Sequence, residues 1–202
     1  MQNNNYSELT MAKAEKNHLE YKKRLKFYKD IGIDNEQERE IIGKLIDFNP
    51  KNILEVGTGK GYLTTFLAKK YSKVTTIDID EETQKIAKLN AIYANVNHKI
   101  DFIIADGANL PFIDNSFDLV ISAFAFHHIE DPQTVFNEMI RVSKKYLIIS
   151  EFNERGFEII RKAHTLENRT HEEKDTDLPG FIKKFNKSNL NVIEHSSPNQ
   201  YI

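Results

Sequence analysis

A chain of 202 residues with 28 Lys and Arg against 30 Asp and Glu, formal charge −2, has no global field that would recruit nucleic acid or an anionic membrane. It is long enough for one domain with a sizeable core, and no apolar run approaches the ~20 residues of a membrane span. Cysteine is absent, which excludes thiol-dependent chemistry, and the opening Met1-Gln-Asn-Asn-Asn5 has no apolar signal core, so a cytoplasmic location is expected.

Residues 1–34 read as a polar N-terminal helical arm. Tyr21, Leu25 and Tyr28 recur at helical spacing, which predicts one helix packed loosely on the rest. Lys22, Lys23, Arg24, Lys26 and Lys29 make a basic run on it. A solvated face is the default for such a run, with phosphate or nucleic-acid contact the alternative. The main domain, 35–202, opens with a helix over about 35–48 (Ile41, Ile42, Leu45, Ile46), closed by Asn49-Pro50.

The short apolar run Ile53-Leu54-Glu55-Val56 reads as a buried strand. It enters a helical pattern (Leu63, Phe66, Leu67, Tyr71) through Gly57, Thr58, Gly59, Lys60 and Gly61. A strand joined to a helix by alternating glycines lets a ligand come close to the backbone and points helix N–H groups at it. The rival is a dinucleotide fingerprint, but Tyr62 fills the slot where a third small residue would permit close helix–strand packing. Glu55 is an acid where a pyrophosphate gains nothing; it suits a cationic ligand better.

Val74-Thr-Thr-Ile-Asp78 is a β-branched strand ending in a carboxylate placed to accept from ribose hydroxyls. A helix over about 81–94 follows, with Asp80 as N-cap. The third strand, Asp101–Ala105, ends in Asp106-Gly107-Ala108-Asn-Leu-Pro-Phe112. The fourth, Phe117–Phe124, is followed by Ala125-Phe126-His127-His128. Asp131-Pro132 opens a helix carrying Val135, Phe136, Met139 and Ile140, and Tyr146–Ser150 is strand five. This alternation specifies an α/β, Rossmann-like, doubly wound and mostly parallel sheet with helices on both faces. Beyond it come a helix over Glu154–Asn168, a polar and exposed loop at 169–177, a short helix at 181–187 and a strand at 191–194.

Taken together, the four ordered segments resemble the class I S-adenosylmethionine-dependent methyltransferases, nearest the small-molecule branch that includes the ubiquinone/menaquinone C-methyltransferases. The resemblance covers roughly residues 35–152. It implies a sheet closed by a seventh, antiparallel strand, of which Ser197–Ile202 supplies only the beginning, so that strand is expected to be short or missing. It also implies S-adenosyl-L-methionine as cofactor, S-adenosyl-L-homocysteine as product, and in-line displacement of the methyl group onto a small-molecule acceptor.

By the same resemblance, Gly57, Thr58, Gly59 and Gly61 let the backbone approach the methionine part and ribose, with Glu55 beneath them near the cofactor's amino end. Asp78 takes the ribose hydroxyls and Ile79 offers an apolar face to the adenine. Asp106 accepts from the exocyclic amine, Gly107 and Ala108 present backbone to the ring edge, and the Ser122 carbonyl meets the amino group. Each role has a bland counterpart: a tight turn for the glycines, a solvated strand end for Asp78, an Asx-type turn for Asp106, loop capping for Glu55, plain core for Ile79.

His127 and His128 follow strand four, where a neutral imidazole is a natural base near pH 7; packing and backbone hydrogen bonding are the alternative. Tyr28, Phe124 and Phe126 are candidate acceptor walls. The order Ser122-Ala-Phe-Ala-Phe126 lacks the Asn/Asp-Pro-Pro-aromatic tetrapeptide of adenine-N6 enzymes, so nucleic acid is not the expected acceptor. His164, His171, Glu172, Glu173, Asp175 and Asp177 match no familiar metal-site spacing, and no metal is expected. Two other functions fit the same motifs: methyl transfer to RNA or protein through the basic run, and a non-catalytic nucleoside-binding or scaffolding protein. No sequence feature sets an oligomeric state.

Overall fold

The computed structural model describes residues 10–167, 177–185 and 193–202. Two helices come first, α1 (Met11–Ile31) and α2 (Asn35–Leu45). The alternating core follows: β1 (Ile53–Val56), α3 (Tyr62–Lys70), β2 (Val74–Asp78), α4 (Glu81–Tyr93), β3 (Ile100–Ile104), β4 (Phe117–Ala123), α5 (Pro132–Val142) and β5 (Ser143–Phe152). Helices α6 (Glu154–Leu166) and α7 (Leu178–Phe185) and the two-residue strand β6 (Gln200–Tyr201) complete the described elements. The six strands lie in the order β3-β2-β1-β4-β5-β6, parallel except for β6.

Alternation along each strand divides the core into two layers. Ile53, Val74, Leu119 and Ile121 face α2, α3 and α4, while Leu54, Ile77, Val120 and Ile149 face α5 and α7. The helix starts obey local chemistry. Asp80 accepts from the amides of Glu82 and Thr83, and Asp131 accepts from that of Thr134 with Pro132 in the first turn.

The N-terminal helix departs from the expected loose arm. Only Ala14 and Tyr28 on α1 are buried, yet polar and aromatic contacts fix it along α4 and the start of α3. Asn17 donates to Asn90 at 2.8 Å, His18 stacks on Tyr93 at 3.8 Å, and Tyr21 stacks on Tyr62 at 4.4 Å. A weak apolar stripe understates such a helix because stacking and side-chain amide pairs do not register as hydrophobic periodicity.

The closing strand is present and short. Gln200 and Tyr201 pair antiparallel with Phe152 and Glu151, and the His195 and Ile202 backbones exchange hydrogen bonds of 2.9 and 2.8 Å. Side chains replace the missing ladder. Fully buried Gln200 donates to the Glu38 carbonyl at 3.1 Å and accepts from Ser150 Oγ at 2.6 Å, while Asn199 donates to the Glu38 carboxylate at 2.9 Å. Of the strand expected at 191–194, Ile193 and Glu194 are not in a strand, and 191 and 192 lie outside the described residues. The loop expected at 169–177 lies outside them too, apart from Asp177. Among the described residues, no helix is long and apolar enough to cross a membrane.

Candidate functional site

The carboxyl ends of β1, β2, β3 and β4 converge on the glycine loop. All three of its glycines have positive φ: +90° at Gly57, +49° at Gly59 and +73° at Gly61. Their surroundings differ. A Cβ on Gly57 would stand 2.7 Å from the Ala125 Cβ, and one on Gly61 would stand 2.6 Å from the Ala87 Cβ and 2.8 Å from its Cα. A Cβ on Gly59 would meet nothing within 4 Å. Two glycines therefore serve close packing, and the middle one opens onto empty space. Close packing falls at Gly61, the N-cap of α3, against Ala87 of α4 and not at the third slot of a dinucleotide fingerprint, and the Tyr62 ring stacks on Tyr21 of α1.

Four loop amides are bonded within the protein. Gly57 and Thr58 both donate to the Ile77 carbonyl, at 3.0 and 2.9 Å, and Gly61 donates to that of Thr58 at 2.9 Å. Gly59 donates to Asp78 Oδ2 at 2.7 Å. What the loop offers a ligand is the room above Gly59.

Glu55 lies under the loop, 2% exposed, and accepts from Thr64 Oγ1 and from Thr76 Oγ1. Thr76 Oγ1 is 2.7 Å from Thr58 Oγ1, so one chain of side chains runs from β1 through β2 to the loop. Burial pushes the Glu55 carboxyl up to about 7, opposed by the hydrogen bonds from Thr64 and Thr76. Glu55 thus receives threonine hydroxyls and not the loop amides, which the Ile77 and Thr58 carbonyls and Asp78 take up. Thr64, Thr76 and fully buried Gln84, which donates to the Ile103 carbonyl at 2.9 Å, were not singled out from sequence. The paired threonines inside an apolar strand were the available signal, since a buried hydroxyl demands a partner.

Asp78, at the tip of β2, also accepts from the Asp80 amide through Oδ1 at 2.9 Å. Ile79 beside it is 73% exposed, which rules out the plain-core reading. Asp106 is exposed and its Oδ1 accepts from the Ala108 amide at 2.8 Å, the Asx turn weighed against a ligand role. Gly107 presses on Val56 and Val135, where a Cβ would stand 3.2 and 3.3 Å away. Arg141 anchors this segment, donating to the Phe112 and Leu110 carbonyls at 2.7 and 3.0 Å. Ser122 is fully buried inside β4 and its hydroxyl donates to the Val56 carbonyl at 2.8 Å, so its side chain ties two strands together.

Two of the three candidate acceptor walls are core. Tyr28, 4% exposed, packs with Phe152 and Phe157, and Phe126, 2% exposed, packs under α7 against Phe181. The aromatic residues of the segment after β4 alternate in destination, and only tertiary packing decides which ring turns inward. Phe124 is partly buried, stacked on Phe152 at 4.4 Å with φ +55°, a conformation that a non-glycine residue adopts at a cost.

The histidines separate as well. His127 is buried, with Nδ1 2.9 Å from Glu151 Oε1 and its amide donating to Oε2 at 3.1 Å. His128 is exposed, its ring centroid 3.9 Å from that of His127. Glu151, fully buried at the end of β5, was missed from sequence; an acid closing an apolar strand, in a chain with two adjacent histidines, was the signal.

Residues 54–149 match the family model described as a methyltransferase domain. The chain is 36% identical over 95 residues to the ajmaline N-methyltransferase of Rauvolfia serpentina, covering 46% of this chain and 33% of that protein. It is 35% identical over 120 residues to the ubiquinone/menaquinone biosynthesis C-methyltransferase of Rickettsia typhi, covering 56% and 48%. The chain thus spans half or less of these relatives' lengths. Its fold is similar to the crystal structure of a methyltransferase dependent on S-adenosylmethionine from Aquifex aeolicus, with TM-score 0.60 at 21% identity over 81% of this chain and 86% of that one. By its ordered motifs, its sheet and the methyltransferase-domain match over residues 54–149, the chain is similar to the class I S-adenosylmethionine-dependent methyltransferases.

Proposed function

We propose that this protein, in the cytoplasm, transfers a methyl group from S-adenosyl-L-methionine to a small-molecule acceptor, releasing S-adenosyl-L-homocysteine. The observation that carries the reading is the glycine loop: packed tight at Gly57 and Gly61, open at Gly59, and flanked by the Asp78 carboxylate. Such a cradle fits a nucleoside with a cationic end. The cofactor, when bound, supplies a methyl carbon already activated by the sulfonium. Asp78 would take the ribose hydroxyls, exposed Ile79 would cover the adenine, and Asp106 with Gly107 and Ala108 would meet its edge. Thr58 and Glu55 hold the loop from below, and buried Glu55 favours positive charge above it. The chain's task is positioning and water exclusion, which alone can lower a barrier by ~7–11 kcal/mol.

The names of the Rauvolfia and Rickettsia relatives, an ajmaline N-methyltransferase and a ubiquinone/menaquinone biosynthesis C-methyltransferase, support a small acceptor. The macromolecular alternative loses some support because three of the five residues of the basic run pair with neighbouring acids: Lys23 with Glu20 at 2.8 Å, Lys26 with Asp30 at 2.7 Å, Lys29 with Asp34 at 2.7 Å. Phe124 and the exposed His128 are the proposed acceptor-side groups. Calorimetry with S-adenosylmethionine, its demethylated product and NADH tests the cofactor; heat with NADH alone would sink the reading. Labelled methyl appearing in protease- or RNase-sensitive material would redirect the acceptor. Tight nucleoside binding without turnover on any acceptor would identify the non-catalytic alternative.

A further inference from the structure

A cavity of about 460 Å³ lies between α1 and the outer side of the glycine loop, walled by Tyr21, Arg24, Phe27, Lys60, Tyr62 and Glu167 among others. Its size falls within the ~300–1,000 Å³ of small-molecule sites. Glu55, Gly59, Asp78 and Asp106 do not line it; the glycine loop contributes only Lys60, with Tyr62 at the start of α3. We propose that this cavity is a second ligand site, taking a small molecule that carries a carboxylate or phosphate on an aromatic or otherwise apolar body.

The anion-recognising group is Arg24. A guanidinium has five N–H donors. Among the described residues Arg24 donates one hydrogen bond, 3.1 Å to the Tyr28 hydroxyl, lies over the Tyr28 ring at 5.3 Å, and forms an ion pair with Glu167 at 3.6 Å, beyond hydrogen-bond reach. Its side chain is 23% exposed and lines the cavity. A planar fork in that state matches a two-oxygen anion. Glu20, the other acid on the wall, is held by Lys23 at 2.8 Å.

The body of the ligand is set by rings. Tyr21 stacks on Tyr62 at 4.4 Å, and Phe27 adds a third aromatic side chain to the wall. Burial pushes the Tyr62 hydroxyl up to about 12, so it stays a neutral donor, and the positive charges of Arg24 and Arg39 reach it. The Tyr21 hydroxyl is taken up by Arg39 at 2.8 Å, which fixes the stacked pair.

The cavity is mechanically joined to the loop. Asn17 on α1 donates to Asn90 Oδ1 at 2.8 Å, and Asn90 Nδ2 donates to the Lys60 carbonyl at 2.8 Å. An occupant that shifts α1 therefore pulls on the residue between Gly59 and Gly61, and cofactor and occupant change each other's affinity by the same factor. The site does not require methyl transfer to be the activity. Its occupant is an acidic effector separate from the methyl acceptor, since Phe124 and His128 do not line the cavity.

The test uses the full chain, free and saturated with S-adenosylhomocysteine, titrated with 4-hydroxybenzoate, phenyl phosphate and neutral benzyl alcohol while the ring signals of Tyr21 and Tyr62 are followed by NMR. The anions are expected to shift those signals and benzyl alcohol is not. Arg24→Gln should weaken anion binding about tenfold or more. Tyr62→Phe, which keeps the stack and removes one donor, should weaken it less and serves if Arg24→Gln loosens α1. Binding beside the nucleoside without methylation of the probe supports the effector site, and methylation of a bound probe overturns it by assigning the cavity to the acceptor. No shift with either anion, equal shifts with benzyl alcohol, or direct displacement of the probes by S-adenosylhomocysteine overturns it, the last by assigning the cavity to the cofactor. Failure of S-adenosylhomocysteine to bind at all would sink the methyltransferase reading and leave the titration of the free chain to judge the cavity.

Discussion

The Gly59 amide donates to Asp78 Oδ2 at 2.7 Å, so the loop after β1 and the tip of β2 are fastened together at the point where the loop is open. The carboxylate proposed to read the ribose also sets the height of the loop above which the nucleoside would lie.

Asp78→Ala should therefore weaken S-adenosylmethionine binding more than any other single carboxylate change. It removes the proposed ribose acceptor and the Gly59 anchor together, and charge-assisted hydrogen bonds contribute about 1.5–3 kcal/mol each. A 10- to 100-fold rise in Kd by calorimetry is expected. Asp78→Asn, which can still accept from Gly59, should fall between. An unchanged Kd in both variants would move the ribose contact elsewhere.

The glycines should separate binding from folding. Gly59→Val places its side chain in open space and should abolish binding, losing only the ~1–2 kcal/mol that a non-glycine residue costs at positive φ. Gly61→Ala drives a methyl group into the Ala87 backbone, so it should depress Tm well beyond that φ cost, overpacking adding about 1–3 kcal/mol. Thermal melts and calorimetry on both variants check the pair. A Gly59→Val protein that binds like wild type would make the loop purely structural.

Glu55 predicts a pH dependence. Its folded-state pKa of about 7 lies above the ordinary 4.5, so the folded chain holds the proton more tightly than the unfolded one. The associated stability is fully present below about pH 4.5 and is lost as pH rises through about 7, some 3 kcal/mol at ~1.4 kcal/mol per unit. The Tm of the wild type should fall relative to Glu55→Gln between about pH 5 and pH 8. A constant difference would contradict it. A cationic ligand above the loop should favour the ionised carboxyl, so S-adenosylmethionine binding near pH 7 should release protons, seen as buffer-dependent heat.

Glu151 receives the His127 ring, the His127 amide and the Phe152 amide, all in a fully buried position. Glu151→Ala strands three donors and should cost on the order of 3–5 kcal/mol, read by denaturant unfolding. His128→Ala should leave stability within about 0.5 kcal/mol, as exposed positions do. If the exposed histidine supplies the base, that variant alone lowers turnover by ~10²–10⁴ without moving Tm. Full turnover in His128→Ala would remove it from the chemistry.

The sequence by itself determined whatever depends on near neighbours. The strand runs, the Asp80 and Asp131 caps and the order of the motifs follow from alternation, capping and turn chemistry acting over a few residues. The glycine loop was legible for the same reason: positive φ is a property of single positions, and the chain places glycine at positions 57, 59 and 61 of the loop, where φ is positive. Tertiary structure decided where the ends of those elements meet. It sent Phe126 and Tyr28 into the core, gave Glu55 the hydroxyls of Thr64 and Thr76, brought Glu151 under His127, and laid α1 against the loop through Tyr21 and Asn17. These contacts join residues far apart in the chain, and local pattern carries no record of them. A buried polar group must find a partner, but which partner it finds depends on the three-dimensional packing of the strands and helices.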